Sequence, residues 1–141
     1  MHQQIFESPP DEAPTRPVGN AVARGMASKC PSCGTGALFD GYLTVKDHCG
    51  TCNEALHHHR ADDAPPYFTI LIVGHIIVGM ILTVEKLWAP PIWLQMSIWL
   101  PLTVLLSLAL LRPVKGAVVG LQWALFMHGF DPNHTPEFGE D

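Results

Sequence analysis

Four cysteines in two C-x2-C pairs, Cys30 with Cys33 and Cys49 with Cys52, lie fifteen residues apart and constrain the N-terminal half of this chain more than any other feature. A C-x-x-C turn lets two thiolates face one metal ion. Fifteen intervening residues suffice for a short hairpin that returns the second pair to complete a tetrahedron. The chain has four cysteines, so this arrangement uses all of them. The spacing points to one structural metal, zinc first, with an iron centre or a redox dithiol as the alternatives, because four thiolates also suit iron. A redox pair needs only one C-x-x-C with a lowered thiol pKa, and a closed four-cysteine site leaves no open position for a substrate. Residues 27–60 are therefore expected to form a small β-rich, zinc-ribbon-like head. A β-hairpin is expected where Leu38 to Val45 surrounds an Asp40-Gly41 turn signal. Large aliphatics are too few there to build a core unaided, so the metal is the expected staple.

Downstream of Pro66 the composition changes. Tyr67 to Val84 runs eighteen residues without a formal charge, and Ile92 to Leu111 runs twenty. Both are long enough to cross a bilayer, the first at about the lower limit. Pro66 suits a helix start, and Asp62 and Asp63 complement the positive end of the helix dipole. Trp88-Ala89-Pro90-Pro91 makes a tight connection. Residues 61–112 thus read as a transmembrane hairpin with spans at about 67–84 and 92–111, kinked at Pro101. Tyr67, Phe68, Trp88 and Trp93 fall near the expected interfaces. In residues 113–130, Lys115 and Gln122 are seven apart and share a helical face, while Gly116 and Gly120 weaken the segment as an isolated helix. It reads as a C-terminal amphipathic helix, or a helical hairpin, at the membrane interface or against the first two helices. The fold class is an α-helical integral membrane protein with a small head.

Orientation follows from the basic residues. Arg16, Arg24, Lys29, Lys46 and Arg60 precede the first span and Arg112 and Lys115 follow the second, against Lys86 alone in the connecting loop. Both termini are expected in the cytoplasm, where a reducing milieu keeps thiols available for metal. Residues 1–26, rich in Pro and polar residues, read as a disordered arm, and 131–141 as an acidic tail. The net charge of -5 disfavours nucleic-acid binding. The start of the chain lacks the basic and apolar regions of a cleavable signal.

Two further features bear on chemistry. His57-His58-His59 has a functional reading as a metal or haem contact and a bland one as a solvated stretch near headgroups; the bland one is favoured, and His48 beside Cys49 could at most replace a missing ligand. His75 sits midway through the first span, where an ionisable group is costly and turns toward a partner or a cavity. It is a possible intramembrane polar site, or a packing group bonding to Ser97, Thr103 or Ser107. Glu85 lies about 15 Å further along the helix axis and cannot pair with it. No nucleophile with its base, phosphate loop or paired-carboxylate site is apparent, so no enzyme is expected.

The strings Cys30-Pro31-Ser32-Cys33-Gly34, Leu38-Phe39-Asp40-Gly41-Tyr42-Leu43, Ala61-Asp62-Asp63-Ala64-Pro65-Pro66-Tyr67-Phe68, Val73-Gly74-His75-Ile76-Ile77, Pro113-Val114-Lys115-Gly116 and Gly120-Leu121-Gln122-Trp123-Ala124 together resemble the domain of unknown function 983 family (DUF983) over roughly residues 27–130. One departure is Asn53 after the second cysteine pair, where Gly is expected by analogy with Gly34; Asn also tolerates the left-handed conformation. The resemblance implies a small bacterial inner-membrane protein with a zinc-ribbon-like head. Through the gene neighbourhood of the family, it implies cytochrome c oxidase subunits or assembly factors as partners. Two functional classes follow. One is a non-enzymatic accessory or assembly protein of a membrane complex; the other is a metal, haem or thiol-redox handling protein that uses His75 and the His57–His59 stretch.

Overall fold

The computed structural model describes residues 15–60 and 64–130. The expected acidic tail, the first fourteen residues of the arm and the Asp62-Asp63 pair lie outside the described residues. Three helices follow in order, α1 (Val18–Met26), α2 (Ala64–Trp88) and α3 (Ile92–Ala124), with a 3-10 turn at His128–Phe130.

α2 and α3 are each long and apolar enough to cross a membrane. α2 begins at Ala64 and takes Pro65 and Pro66 into its first turn, where their missing N–H groups cost nothing. Its buried stripe, Pro65, Thr69, Val73 and Ile77, recurs every four residues as one helical face should. Ala89 adopts a positive φ of 42° to turn the chain, and Pro91 precedes the first residue of α3. The side-chain amide of Gln95 donates to Glu85 Oε2 at 2.6 Å and to the Pro90 carbonyl at 3.2 Å, which ties the two helix ends across the loop.

The separate amphipathic helix expected at 113–130 does not form. α3 continues for 33 residues to Ala124 with both Pro101 and Pro113 inside it. At 1.5 Å per residue the helix is about 50 Å long against a hydrocarbon thickness of about 30 Å. Its last part is therefore free to serve the head. Val119 is fully buried in one cluster with Cys30, Leu38, Phe39, Val45, Cys49 and Leu56, so an α3 side chain completes the core that the head could not supply alone.

The expected disordered arm is likewise corrected over its second half, because residues 18–26 are helical. Val18, Ala21, Val22 and Gly25 share one face of α1, and Ala21 and Gly25 are buried. A nine-residue helix is marginal by itself; this one is held by packing on α3. Gly25 lies against Gly116, and Gly120 against the Ala21 carbonyl, so closely that a Cβ at any of the three glycines would overlap backbone atoms of the other helix. The small residues noted above as weakening residues 113–130 are what allow this crossing, as small-xxx-small spacing does generally.

The head has less strand than expected. Among the described residues no β-strand forms, and the head carries three isolated antiparallel bridges, Lys29 with Ala37, Phe39 with Val45 and His48 with Ala55. The hairpin expected at 38–45 reduces to the second of these, closed by Asp40 N–H donating to the Thr44 carbonyl at 2.7 Å and Lys46 N–H to the Leu38 carbonyl at 3.0 Å. Backbone donors around the cysteines are directed to knuckle carbonyls and sulfurs instead of to neighbouring strands, which prevents a longer ladder.

Candidate metal centre

Each C-x-x-C pair folds into the same tight knuckle. Gly34 N–H donates to the Cys30 carbonyl and Asn53 N–H to the Cys49 carbonyl, both at 2.9 Å. Each turn is closed by a left-handed residue, Gly34 at φ 71° and Asn53 at φ 59°, so Asn takes the role that Gly plays in the first knuckle. Further N–H groups point at sulfur: Gly36 to Cys33 Sγ at 3.4 Å and Thr51 to Cys49 Sγ at 3.5 Å.

Together the two knuckles bring all four sulfurs within 4.8 Å of one another. Cys30 and Cys52 Sγ are 3.7 Å apart, as are Cys33 and Cys49 Sγ. A tetrahedron with metal–sulfur bonds of about 2.3 Å has edges of about 3.8 Å, whereas a disulfide needs about 2.05 Å. The spacing is that of ligands around one ion and not of bonded pairs. The four cysteines can hold a metal ion such as zinc.

The thiols differ in acidity. Cys33 is brought down to about 5, first by the Thr35 hydroxyl and then by the N–H groups of Gly36 and Thr35. Cys49 is opposed by burial, yet the N–H groups of Cys52 and Thr51 leave it below the ordinary thiol value. Burial pushes Cys30 well above that value, and desolvation of its sulfur also raises Cys52. One ligand of each knuckle is thus favoured as thiolate before a metal arrives, and the other releases its proton to solvent as the metal binds.

The surroundings of the site come from residues that local sequence patterns do not reveal. Arg24 of α1 donates from Nη1 to the carbonyls of Pro31 and Ser32 at 3.1 and 2.8 Å, clamping the first knuckle. Arg112, at the foot of the α3 extension, donates from Nε to Ser28 Oγ at 3.1 Å and lies 5.3 Å from the Phe39 ring centroid. The Tyr42 hydroxyl donates to the Leu108 carbonyl. Gln122, buried and expected on a membrane-interface face, instead exchanges two hydrogen bonds with the backbone of Arg60: Arg60 N–H to Oε1 at 3.0 Å and Nε2 to the Arg60 carbonyl at 3.2 Å. Trp123 Nε1 donates to Glu54 Oε1 at 3.2 Å. Arg16 lies 4.2 Å from the ring centroids of both Trp123 and Phe126 and donates to the Trp123 carbonyl at 2.7 Å, capping the end of α3. The one sequence signal for this set was the Gly116-x3-Gly120 spacing.

The other predicted positions lie apart from the cysteines. His75 is exposed on α2, and its Nδ1 lies 2.7 Å from the Leu71 carbonyl one turn earlier. Because a carbonyl only accepts, Nδ1 is the donor in this contact. None of Ser97, Thr103 and Ser107 is its partner: Ser97 and Thr103 bond to carbonyls of their own helix. Glu85 accepts from Gln95. The rings of His57 and His58 lie 4.0 Å apart and are tilted by 41°, while His59 is half-buried.

Residues 39–123 match a family model described as "Protein of unknown function (DUF983)". No curated protein and no solved structure matches the chain.

Proposed function

The chain belongs to the DUF983 family, and from that premise we propose that it is a non-enzymatic accessory or assembly protein of a membrane complex, with a zinc-bearing head on the cytoplasmic side of the bacterial inner membrane. The observation that carries this reading is the single α3 helix, which starts among the residues of an apolar hairpin and ends as part of the head core through Val119. Such a helix joins the head to the hairpin without a flexible linker, so a partner bound by either part is held at a set position relative to the other. The metal is structural in this reading: four protein ligands close the site, and the ion orders the knuckles that Arg24, Arg112 and Val119 then seat on α1 and α3.

The hairpin is the partner-facing element. Most of its large apolar side chains are exposed, and α2 carries an open groove lined by Ile76, Gly79, Met80, Thr83 and Val84 one turn from His75. Small residues in such a groove allow close approach of another helix. Cytochrome c oxidase or its assembly factors are the favoured partners, on the family resemblance alone. The test is purification in detergent from its own membrane, followed by metal analysis and identification of co-purifying proteins. One zinc per chain with oxidase or assembly-factor subunits supports the reading, and a monodisperse protein without partners under mild solubilisation counts against it.

A second reading, handling of metal or haem within the membrane, is favoured by one observation. His75 is exposed and its Nδ1 is held by the Leu71 carbonyl, and a backbone bond on one ring nitrogen is how ligating histidines are oriented for the other. A stoichiometric haem or copper signal that disappears in His75→Gln would favour this second reading.

A further inference from the structure

One turn of the head reaches back to the apolar part of α3. Phe39 bridges to Val45, and the loop between them carries Gly41 at φ 93°, with open space around it, and the exposed Tyr42. The Tyr42 hydroxyl donates to the Leu108 carbonyl. Leu108 belongs to the uncharged run 92–111, about 4.5 Å of helix rise before its end. Where α3 crosses a bilayer that run fills the hydrocarbon, so a group bonded to Leu108 lies at the boundary between acyl chains and headgroups. Tyr67 and Phe68, both exposed, open α2 at this same end, remote from the 88–92 connection. Arg112 is the first charged residue after the run. Its Nε donates to Ser28 Oγ at 3.1 Å, and its guanidinium lies 5.3 Å from the Phe39 ring centroid. These are its polar contacts among the described residues, and neither is with a carboxylate.

We propose that this turn is a lipid-contacting surface that seats the metal head on the nearer bilayer leaflet, with Tyr42 at the headgroup boundary and the Arg112 guanidinium paired with a phospholipid phosphate. Tyrosine suits that depth because its ring is apolar and its hydroxyl polar. A guanidinium forks onto phosphate through two parallel N–H groups. Nε is committed to Ser28, which leaves the two terminal nitrogens to make the fork. Asp40 in the same turn is acidic, so Arg112, and not a net positive charge of the turn, draws the headgroup. Phe39 lies against Arg112 and also belongs to the cysteine cluster, so the lipid surface and the metal core share a side chain. The inference rests on the membrane hairpin of the reading above and is independent of its partner.

The experiment places full-length, zinc-loaded protein in vesicles of phosphatidylethanolamine and phosphatidylglycerol whose acyl chains carry bromine either near the headgroup or near the chain end. Emission of Tyr42→Trp minus that of the wild type isolates the introduced indole. The expected result is a loss of this emission with shallow bromine that exceeds the loss with deep bromine, and little response to aqueous iodide. Zinc content identifies a variant whose knuckles have failed; Leu43→Trp, at the adjacent position, then reads the same depth. Quenching by iodide with none by either bromolipid, or stronger quenching by deep bromine, would overturn the proposal. In native mass spectrometry from mixed micelles of the same lipids, the wild type and Arg112→Lys should keep one phospholipid more than Arg112→Gln. Equal retention in a zinc-containing Arg112→Gln, or displacement of that lipid by inorganic phosphate, would remove the lipid pairing. Alkaline carbonate extraction separates this outcome from failure of the hairpin. Protein released from membranes would mean that α3 does not cross and would sink both, whereas retained protein with an indole open to iodide would sink the lipid contact alone.

Discussion

Gly25 of α1 and Gly116 of α3 meet backbone to backbone, each occupying the space in which the other would place a Cβ. This contact, extended by Gly120 against Ala21, is where the N-terminal segment joins the helix that also supports the metal head. It converts a stretch with no large apolar face into an ordered part of the fold.

Gly116→Val should separate the two helices, because the added atoms meet main chain that cannot rotate away. Overpacking of this kind costs about 1–3 kcal/mol. Gly19→Ala, with nothing within 4 Å of its Cβ position, is the control and should be neutral or slightly stabilising. Limited proteolysis between residues 15 and 27 reads the difference; equal protection of the two variants would show that the crossing does not hold α1.

Removal of the metal should unfold residues 27–60, since the cluster around Cys30 and Cys49 joins the two knuckles through few other large side chains. Cys30→Ser or Cys52→Ser should lower bound zinc and open the head to protease. The helices α2 and α3 should persist by circular dichroism. Metal-free protein with a protected head would contradict a structural role for the ion.

Zinc affinity should rise with pH across the neutral range. Cys30 and Cys52 hold their protons more tightly than an ordinary thiol and must release them on binding. Cys33, already thiolate above about 5, adds no dependence there; below that value its proton also competes with the metal, and zinc affinity should fall more steeply. Competition against a chelator of known proton dependence measures the slope, and an affinity that is flat from pH 6 to 8 would be inconsistent with it.

Both termini should face the cytoplasm, given seven basic residues flanking the hairpin against Lys86 in its loop. A cysteine introduced at Ala89 should react with an impermeant thiol reagent in intact cells, measured against the wild-type background. Cysteines at Asn20 and Phe138 should react only after lysis. Labelling of Asn20 but not Ala89 would reverse the topology.

His75→Gln should keep most of the function if the imidazole serves a partner helix as a hydrogen-bonding group, while His75→Leu should weaken assembly by roughly 1 kcal/mol. A ligand role predicts that both variants lose the bound cofactor at normal protein levels. Unchanged co-purification and metal content in the Leu variant would remove His75 from either role.

The metal centre and the apolar hairpin were legible in the chain because each is a local property. Cysteine spacing limits which sulfurs a turn can bring together, and an uncharged run of eighteen or twenty residues has the length of a bilayer whatever surrounds it. Even the second knuckle's Asn53 could be read in advance, since its conformation depends on one residue's sterics. What the residues after Arg112 would do could not be read the same way. Lys115, Gly116, Gly120 and Gln122 score as a weak, half-polar helix when judged alone, and Val18 to Met26 as a flexible arm. Their stability lies in contacts between positions far apart in the chain: Gly25 with Gly116, Ala21 with Gly120, and Val119 with the cysteine cluster. Sequence by itself determined which residues can hold a metal and which can cross a membrane. Only tertiary structure decided that the second apolar helix continues past Pro113 into the head, because glycine destabilises an isolated helix and permits close packing once a second helix lies against it.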